Sequence, residues 1–403
     1  MKKILILIAV IALAVFAFVT FYDDKPAPEI ADPEDLSEAS ASVGDFAFDI
    51  YRHAAEDENR FMSPYSIHSA LVIAYIGADG ETAEEMAEVL ALEGIDIEKL
   101  KKDFRDLRIY LEHFSPVTEV SIANALFLRE DIPFKENFKD DGARYFDAEI
   151  SSLPETGKPI NEWVSEKTKE KIEEIIDSGQ IDEDVIAYLV NAIYFKGSWK
   201  EEFDEDKTRR SPFESPQGEV EVDMMENKGD YRYGLSENIQ AATLEYEEGD
   251  YLFHAFMPLD GNLSNLYEDL DRETFENIKP TNEGEITLRV PKFTMEDDLT
   301  LKEVLRSMGM MDAFDESRAD FSEMVDLEDL GLNVYMSEVF HSSFIEVDEK
   351  GSEAAAATAV EMRVESVPQE TIVEFNKPFF FVIEEANTNT ILFMGQLVDP
   401  DDL

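Results

Sequence analysis

The side chains best suited to catalysis are thinly spread along this 403-residue chain. Its five histidines show no spacing typical of a metal site, and it has no cysteine to act as a thiol nucleophile. The motifs that mark zinc proteases, serine hydrolases, phosphate-binding loops and dinucleotide-binding turns do not occur in the sequence. We therefore predict no catalytic residue, no metal and no cofactor, and we do not expect an enzyme.

Two single residues, His341 and Trp199, are candidates for a special role. His341 falls in the run Ser337–Phe344, which reads as an apolar strand, so its ring is expected to be a buried, hydrogen-bonded side chain. Trp199 follows Phe195–Ser198 and is interpreted, on its own, as an aromatic residue of the core. Neither residue by itself indicates a reaction.

The segment Glu349–Glu361 contains four consecutive alanines and no larger apolar side chain before Val360. With the period of a strand, one face is small and uncharged and holds Ser352, Ala354, Ala356, Thr358 and Val360. The other face holds Glu353, Ala355, Ala357, Ala359 and Glu361. This pattern is typical of a strand with one face on a core and one in water, although alanine by itself favours a helix or a linker.

Two strands are predicted after this segment. They cover Val373–Ile383 and Ile391–Leu397, and a turn at Glu385–Asn389 joins them. The first closely resembles the C-terminal signature of the serpins, and the alanine segment resembles the hinge at the start of their reactive-centre loop. The resemblance extends from about residue 44 to residue 400 through several motifs in the family's order: Phe61–Ile67, Gly77–Ala83, Ala123–Phe127, Ile160–Val164, Leu189–Trp199, Val290–Phe293 and Gly309–Phe314. One departure is Glu170, where the family commonly has glycine.

The resemblance implies the serpin fold, a mixed α/β domain with three β-sheets including a large central sheet, eight or nine helices and an exposed reactive-centre loop at about 349–372. It assigns the hinge to Glu349, Gly351, Ser352, Glu353, Ala354, Ala355, Ala356, Ala357 and Thr358. It assigns the shutter, a polar cluster beneath the middle of the main sheet, to Ser63, Ser66, Asn191 and His341. Trp199 matches the tryptophan of the breach, where the loop first enters the sheet.

The implied function is suicide inhibition of a serine endopeptidase. In this family the protease forms an acyl-enzyme with the loop, the cut loop inserts into the main sheet, and the trapped protease is distorted before water can release it. The inserting face must be small and uncharged, because burying an unpaired charge costs several kcal/mol. The face of the segment that holds Ser352 to Val360 meets this demand.

The cleaved bond is predicted by counting along the loop. In the family it lies sixteen residues after the glutamate matched here by Glu349, which gives Glu365-Ser366 and a glutamyl-specific target. A shifted frame gives Arg363-Val364, which suits a trypsin-like protease, or Met362-Arg363, which suits a subtilisin-like or chymotrypsin-like one. Two other classes stay open: a non-inhibitory serpin that acts as a binding or carrier protein, and a hydrolase with a triad assembled across the fold.

The N-terminus is predicted to be a separate region. Lys2 and Lys3 precede an apolar run of nineteen residues that ends at Tyr22, so residues 1–22 are expected to be a signal peptide or an uncleaved membrane anchor. The only small-x-small pair, Ala12–Ala14, lies inside the run, which favours the anchor. Residues 23–42 are predicted to be an acidic, proline-containing tether, and 43–400 a single domain. Either reading of the N-terminus places this domain outside the cytoplasm, in an extracellular or cell-surface position.

The chain is strongly acidic. Its 91 acidic and 35 basic residues give a net charge of -56, which excludes nucleic acid as a partner and limits membrane contact to the N-terminal segment. We expect a monomer whose acidity indicates a salt-loving, prokaryotic or archaeal source, because molar salt screens such self-repulsion. The basic residues between Lys99 and Arg108 alternate with acids and are expected to form a salt-bridged surface helix rather than a polysaccharide site.

Overall fold

Residues 28–182, 184–267, 270–326, 333–352 and 371–403 are described by a computed structural model. Most of the long helices come first along the chain. The described residues hold nine α-helices: α1 Ser37–Ala54, α2 Pro64–Tyr75, α3 Gly80–Val89, α4 Ile97–His113, α5 Glu136–Phe146, α6 Lys158–Lys167, α7 Ser264–Tyr267, α8 Arg272–Ile278 and α9 Lys302–Met308.

Strands dominate the rest of the described chain. They are β1 Arg60–Met62, β2 Glu119–Leu128, β3 Glu149–Ser152, β4 Ala187–Ser198, β5 Arg209–Ser215, β6 Gly218–Leu235, β7 Ile239–Glu245, β8 Tyr251–Pro258, β9 Asn282–Pro291, β10 Phe293–Thr300, β11 Glu338–Val347, β12 Gly351–Ser352, β13 Ile372–Glu374, β14 Phe379–Glu385 and β15 Thr390–Leu397. This is the mixed α/β architecture that the sequence predicts.

The strands form two hydrogen-bonded sheets. One has six strands in the order β10-β11-β12-β4-β2-β3. The other has the order β1-β15-β14-β8-β7-β6-β9-β13, and β5 pairs with β6 as a branch. Three sheets were expected, and two continuous ones are found because β6 is 18 residues long and pairs with β5, β7 and β9 along its length. The fold class is confirmed. Because β6 pairs with strands at both of its ends, two of the three expected sheets form one continuous sheet.

Helix α2 lies at the centre of the molecule. Ser63 caps its N-terminus by accepting a hydrogen bond from the Ser66 backbone N–H, and Pro64 occupies the first turn, where no N–H is needed. All twelve residues of α2 are buried, as expected for a helix that is apolar on every side. Because α2 packs against β2, β4 and β15, its first turn lies between the two sheets.

The predicted C-terminal strand Val373–Ile383 is divided in two. Val373 belongs to β13, which pairs with β9, whereas β14 begins at Phe379 and pairs with β8 and β15. Pro378 lies at the break, and its missing N–H cannot contribute to a ladder. The second predicted strand is found as β15, and the turn before it spans residues 386–389.

Ala31–Leu403 make up one compact unit. The predicted signal or anchor at 1–22 lies outside the described residues. Within the described ranges, no helix combines the length and the hydropathy that crossing a bilayer requires.

Candidate functional site

The first residues of the predicted hinge already belong to the six-stranded sheet. Gly351 and Ser352 form β12 and pair antiparallel with Ser198 and Gly197 of β4. On its other side, Ser352 pairs antiparallel with Val347 of β11. The loop therefore enters the sheet at this point, between β4 and β11.

The neighbours of β12 separate to admit it. β4 and β11 pair directly, and in parallel, over residues 188–193 and 338–343. Beyond these residues the described part of the chain shows no direct pairing between the two strands, and β12 lies between them. A strand that continued from β12 would have to separate the directly paired segment, and it would run antiparallel to both neighbours.

Gly351 is the residue type that this entry point requires. Its φ is +152°, a conformation that residues with a side chain rarely adopt. A Cβ atom there would lie 2.1 Å from the carbonyl oxygen of Gly197 and 2.7 Å from Cα of Ser198. The chain therefore passes β4 too closely for any other residue.

Two aromatic residues hold the entry point. The Trp199 indole N–H donates to the Asp348 carbonyl at 2.9 Å, and its backbone N–H donates to the Lys350 carbonyl at 2.8 Å. The indole stacks on Tyr246 with 4.4 Å between ring centroids, and the Tyr246 hydroxyl lies 2.8 Å from the Ser352 hydroxyl. Trp199 thus lies where the breach was predicted, and Ser352 faces inward.

Glu349 fixes the chain just before the entry point. Its carboxylate accepts hydrogen bonds from Lys292 at 2.8 Å and Thr208 at 2.7 Å, and its carbonyl accepts one from the Phe203 N–H at 2.7 Å. Burial alone would raise the pKa of Glu349, but the hydrogen bonds from Lys292 and Thr208 outweigh burial and lower it. The carboxylate is therefore ionised at neutral pH and holds the chain in place.

A row of three polar side chains crosses the sheet where β4 and β11 pair directly. His341 of β11 lies beside Asn191 of β4, and Asn191 lies beside Asn124 of β2. His341 Nδ1 is 2.6 Å from Asn191 Oδ1, and Asn191 Nδ2 donates to Asn124 Oδ1 at 2.6 Å. All three are at most 1% exposed. We call His341, Asn191 and Asn124 the polar row.

Helix α2 connects to the polar row through its first turn. The Ser63 backbone N–H donates to His341 Nε2 at 3.0 Å, and the Ser63 hydroxyl donates to the Leu392 carbonyl at 2.6 Å. Asn191 Nδ2 donates to the Ser66 hydroxyl at 2.6 Å. The polar row is therefore linked by hydrogen bonds to the helix beneath it and to β15.

The network fixes the protonation state of His341. Because Nε2 accepts a hydrogen bond from Ser63, Nδ1 carries the ring proton and donates it to Asn191. Burial lowers the pKa of His341 to about 3, so the ring is neutral at physiological pH. Protonation would add a second N–H facing a backbone N–H and would break the connection to α2.

The structure brings together the four predicted shutter residues, Ser63, Ser66, Asn191 and His341, and it places Trp199 beside the hinge. The hinge residues Glu353, Ala354, Ala355, Ala356, Ala357 and Thr358 lie outside the described residues. So do the candidate cleavage residues Met362, Arg363, Glu365 and Ser366. The roles assigned to all of these residues stay predictions.

Two residues of the site, Asn124 and Tyr246, were not predicted from the sequence. Asn124 bridges Asn191 and, at 3.4 Å, Ser69; an amide inside the apolar run Ala123–Leu128 is the signal that could have revealed it. Tyr246 gave no such signal, because a tyrosine at the end of a strand is ordinary and its contact with Ser352 spans 106 residues.

The basic residues of helix α4 are all paired with carboxylates. Lys99 contacts Glu38 and Asp103, Lys101 contacts Glu98 and Asp141, Lys102 and Arg105 contact Asp106, and Arg108 contacts Glu112. The expectation of a salt-bridged surface helix is confirmed.

One hydroxyl–imidazole–carboxylate chain bears on the hydrolase hypothesis. Thr243 Oγ1 lies 2.8 Å from His254 Nδ1, and His254 Nε2 lies 3.1 Å from Glu384. All three residues are at most 3% exposed, and Lys279 contacts both oxygens of Glu384. Burial lowers the pKa of His254 although Glu384 opposes the shift. The hydroxyl has no room for a substrate, so the chain is best explained as buried structural bonding.

No group of three or more histidine, aspartate or glutamate side chains in the described ranges has the arrangement of a metal site. The site thus consists of a strand entrance, two aromatic residues beside it and a polar row farther down the sheet. Such an arrangement can admit a new strand.

Comparisons with known proteins agree with this class of fold. The family model described as "Serpin (serine protease inhibitor)" matches residues 41–400. The chain is 34% identical to human Serpin B8 over 384 residues, which cover 91% of this chain and all of that protein. It is 33% identical to the leukocyte elastase inhibitor of Xenopus laevis over 389 residues, which cover 91% of this chain and all of the relative.

Among solved structures, human thyroxine-binding globulin in complex with thyroxine superposes with a TM-score of 0.82 at 28% identity, covering 91% of this chain and 99% of that one. Fold and site together define a mixed α/β protein in which the chain after β11 returns to the six-stranded sheet as β12, between β4 and β11. The chain belongs to the serpin family.

Proposed function

We propose that the protein inhibits serine proteases by a suicide mechanism in which its cleaved reactive-centre loop inserts into the six-stranded sheet, and that it has no enzymatic turnover of its own. The observation that carries the proposal is the position of β12. Gly351 and Ser352 are already seated between β4 and β11, so insertion would extend a strand that has begun.

The hydrogen-bond pattern supplies a driving force for insertion. The directly paired segment is a single parallel ladder, over residues 188–193 and 338–343. An inserted strand would replace it with two antiparallel ladders, one on each side. Antiparallel pairing is slightly more stable per residue, and each inserted residue would form backbone hydrogen bonds with β4 or β11. Insertion therefore lowers the free energy once cleavage releases the loop.

We place the cleaved bond at Glu365-Ser366 and the target among glutamyl-specific endopeptidases. Arg363 with a trypsin-like target and Met362 with a subtilisin-like target are the alternatives. The carboxylate would be held by a basic specificity pocket in the protease, whereas arginine at the cleaved position requires an acidic one. These pockets are opposite in charge, so a small protease panel separates the possibilities.

The test is to incubate the full chain with glutamyl endopeptidase, trypsin and subtilisin. We expect a covalent complex that survives SDS with at least one protease, and mass spectrometry of the released C-terminal fragment gives the cleaved bond. Cleavage of the loop by all three proteases without any SDS-stable complex would contradict the proposal.

Hinge variants separate insertion from mere binding. Ser352→Arg and Ala356→Arg place a charge on the inward face, where Ser352 is 1% exposed and touches Tyr246, so burial would cost about 3 kcal/mol or more. We expect both variants to be cleaved as substrates with little complex. The matched control is Glu353→Arg, which keeps a charge on the opposite face, where the register of β12 places residue 353 between the part-buried Lys196 and Glu346, and which should keep the complex yield. Equal yields for Ala356→Arg and Glu353→Arg would contradict loop insertion.

A second candidate is a carrier function without protease inhibition. The observation in its favour is the structural similarity to thyroxine-binding globulin, which was solved with thyroxine bound. The small, uncharged inward face at the hinge favours inhibition. Saturable binding of thyroxine together with failure to form any complex would favour the carrier.

We also propose that the domain acts outside the cytoplasm, at the cell surface or beyond it, because residues 1–22 have the pattern of a signal peptide or membrane anchor. Protease added to intact cells should then digest the reactive-centre loop. A loop that is cut only after lysis would contradict this placement.

A further inference from the structure

A cavity of about 500 Å³ opens beside the hinge entrance, in the size range of small-molecule sites. It lies between the chain that follows β4 and the strands β6, β7 and β9. Its inner wall is formed by Trp199, Tyr231 and Leu244, which are at most 7% exposed. An apolar, partly aromatic wall of this kind favours a ligand with an apolar body.

At the mouth of the cavity, the basic side chains are paired with a carboxylate, whereas most of the acidic ones have no ion pair among the described residues. The two basic side chains, Lys200 and Arg232, both bind the same carboxylate, that of Glu245, at 2.6 Å and 3.2 Å. This leaves little free positive charge at the mouth, so an anionic ligand would have to displace Glu245 from both partners.

Three further carboxylates line the mouth: Glu201, Asp230 and Glu283. They come from three separate segments, the loop after β4 and the strands β6 and β9. All three are exposed, and no ion pair to any of them is found among the described residues. Two cations against four carboxylates leave a net charge of -2 at the mouth. The electrostatic preference is therefore for a cation.

We propose that this cavity binds a small organic cation with an apolar body, such as an alkylammonium, with the body against Trp199 and the charge at the three free carboxylates. The ligand would contact the Trp199 indole, whose N–H donates to the Asp348 carbonyl just before the hinge, so its binding would be linked to the position of the hinge. Only this last consequence rests on the proposed inhibitory function.

The test measures the fluorescence of Trp199, which lines the cavity. The chain has two tryptophans, so Trp163→Phe leaves Trp199 as the only indole and its emission reports the cavity. The probes are three six-carbon chains with different heads: hexyltrimethylammonium, hexanoate and hexanol. We expect a saturable change in Trp199 emission with the cation, and affinity about tenfold weaker for the other two probes.

Variants then locate the site. Asp230→Asn with Glu283→Gln should weaken the cation about tenfold at low salt, since each exposed carboxylate contributes a few-fold. The matched control, Glu219→Gln with Glu221→Gln, removes two exposed charges from β6 outside the cavity and should leave the affinity nearly unchanged. Gly284→Phe is a steric block, because an added Cβ there meets no atom within 4 Å and the larger ring can fill the mouth.

Equal affinity for cation and hexanoate would overturn the proposal, as would undiminished binding to the Gly284→Phe variant. So would binding detected by calorimetry that leaves Trp199 emission unchanged. None of these results depends on protease inhibition, so the outcome is distinct from that of the complex-formation experiment.

Discussion

His341 shows how a single buried residue couples the site to pH. In the native protein its ring is neutral because Nε2 accepts a hydrogen bond from Ser63, and its pKa is lowered to about 3 by burial. His68, also fully buried, has a pKa lowered to about 4, although its hydrogen bond to the Leu90 carbonyl opposes the shift. In the unfolded chain both rings titrate near their ordinary pKa of about 6.5.

The sign of the pH effect follows from these directions. A histidine whose pKa is depressed by folding binds its proton only in the unfolded chain, so stability is full above about pH 6.5 and falls below it. At pH 5 each of the two histidines removes roughly 2 kcal/mol. Asp297 acts the other way, because burial outweighs its pairing with Arg60 and raises its pKa to about 6. Its contribution at pH 5 is about 1 kcal/mol, so the two histidines together outweigh Asp297.

We therefore predict that unfolding in urea requires less denaturant at pH 5 than at pH 7, and that His341→Gln reduces this difference. The variant is expected to be less stable at pH 7, since it disturbs the polar row, but its loss between the two pH values should be smaller by roughly 2 kcal/mol. An identical pH dependence in the two proteins would contradict a lowered pKa of His341, because it would mean that folding does not change the proton binding of this ring.

For a single residue such as His341, sequence patterns indicate that the side chain is buried but not which residues form its hydrogen bonds. A histidine in an apolar run predicted a buried, hydrogen-bonded ring, and His341 has both nitrogens bonded. The partners Ser63 and Asn191 came only from the family resemblance, because 278 and 150 residues separate them from His341. Local pattern carries no information on such distant pairs.

Between β4 and β11, the register of β12 determines where each inserted residue would lie. Ser352 is opposite Gly197 on one side and Val347 on the other. Continuing both antiparallel registers residue by residue brings Thr358 opposite Asn191 and, at the same time, opposite His341. The direct hydrogen bond between His341 and Asn191 would then be replaced by a threonine hydroxyl, which can both accept and donate.

We predict that Thr358→Val destabilises the loop-inserted form, because His341 and Asn191 would be separated with no hydroxyl between them. An unsatisfied buried polar group costs about 1–3 kcal/mol. Thr358→Ser keeps the hydroxyl and is the matched control. Thermal unfolding of the cleaved proteins is the measurement, and equal midpoints for the valine and serine variants would show that the inserted strand adopts a different register.

Element boundaries were predicted less well than element types. The C-terminal pair was expected as two strands, but the chain changes partner strands at Pro378 and forms β13 and β14. The apolar run continues across the break, so hydropathy alone gives no sign of it. The short strand β12 lies inside the segment Glu349–Glu361, whose period predicted a strand but could not show that Gly351 and Ser352 are already paired in the sheet.

For the whole molecule, the largest feature is its charge. A net charge of -56 opposes compaction at low ionic strength, where the Debye length is about 10 Å at 0.1 M salt. We predict that the melting temperature rises by at least about 5 °C between 0.1 M and molar potassium chloride, as screening shortens to about 3 Å. Potassium chloride is used instead of a sulfate salt, because sulfate stabilises most proteins through its exclusion from their surface and would obscure the effect of screening. A melting temperature that does not rise between the two salt concentrations would contradict the hypothesis that the protein comes from a salt-loving source.

The overall architecture was predictable through the family resemblance rather than from composition. Length and hydropathy allowed one large domain but did not define its topology. The joining of two expected sheets depends on the length of β6, whose burial pattern changes along the strand as it passes from one set of neighbours to the other. Such a change of environment within one strand is invisible to a fixed period.

If the sheet gains stability by accepting the loop, as we propose, thermal unfolding of the intact and the loop-cleaved protein shows it most directly. A single cut between residues 360 and 370 should raise the melting temperature markedly, and the same cut in the Ala356→Arg variant should raise it little. An unchanged melting temperature after cleavage of the unmodified protein would contradict the account.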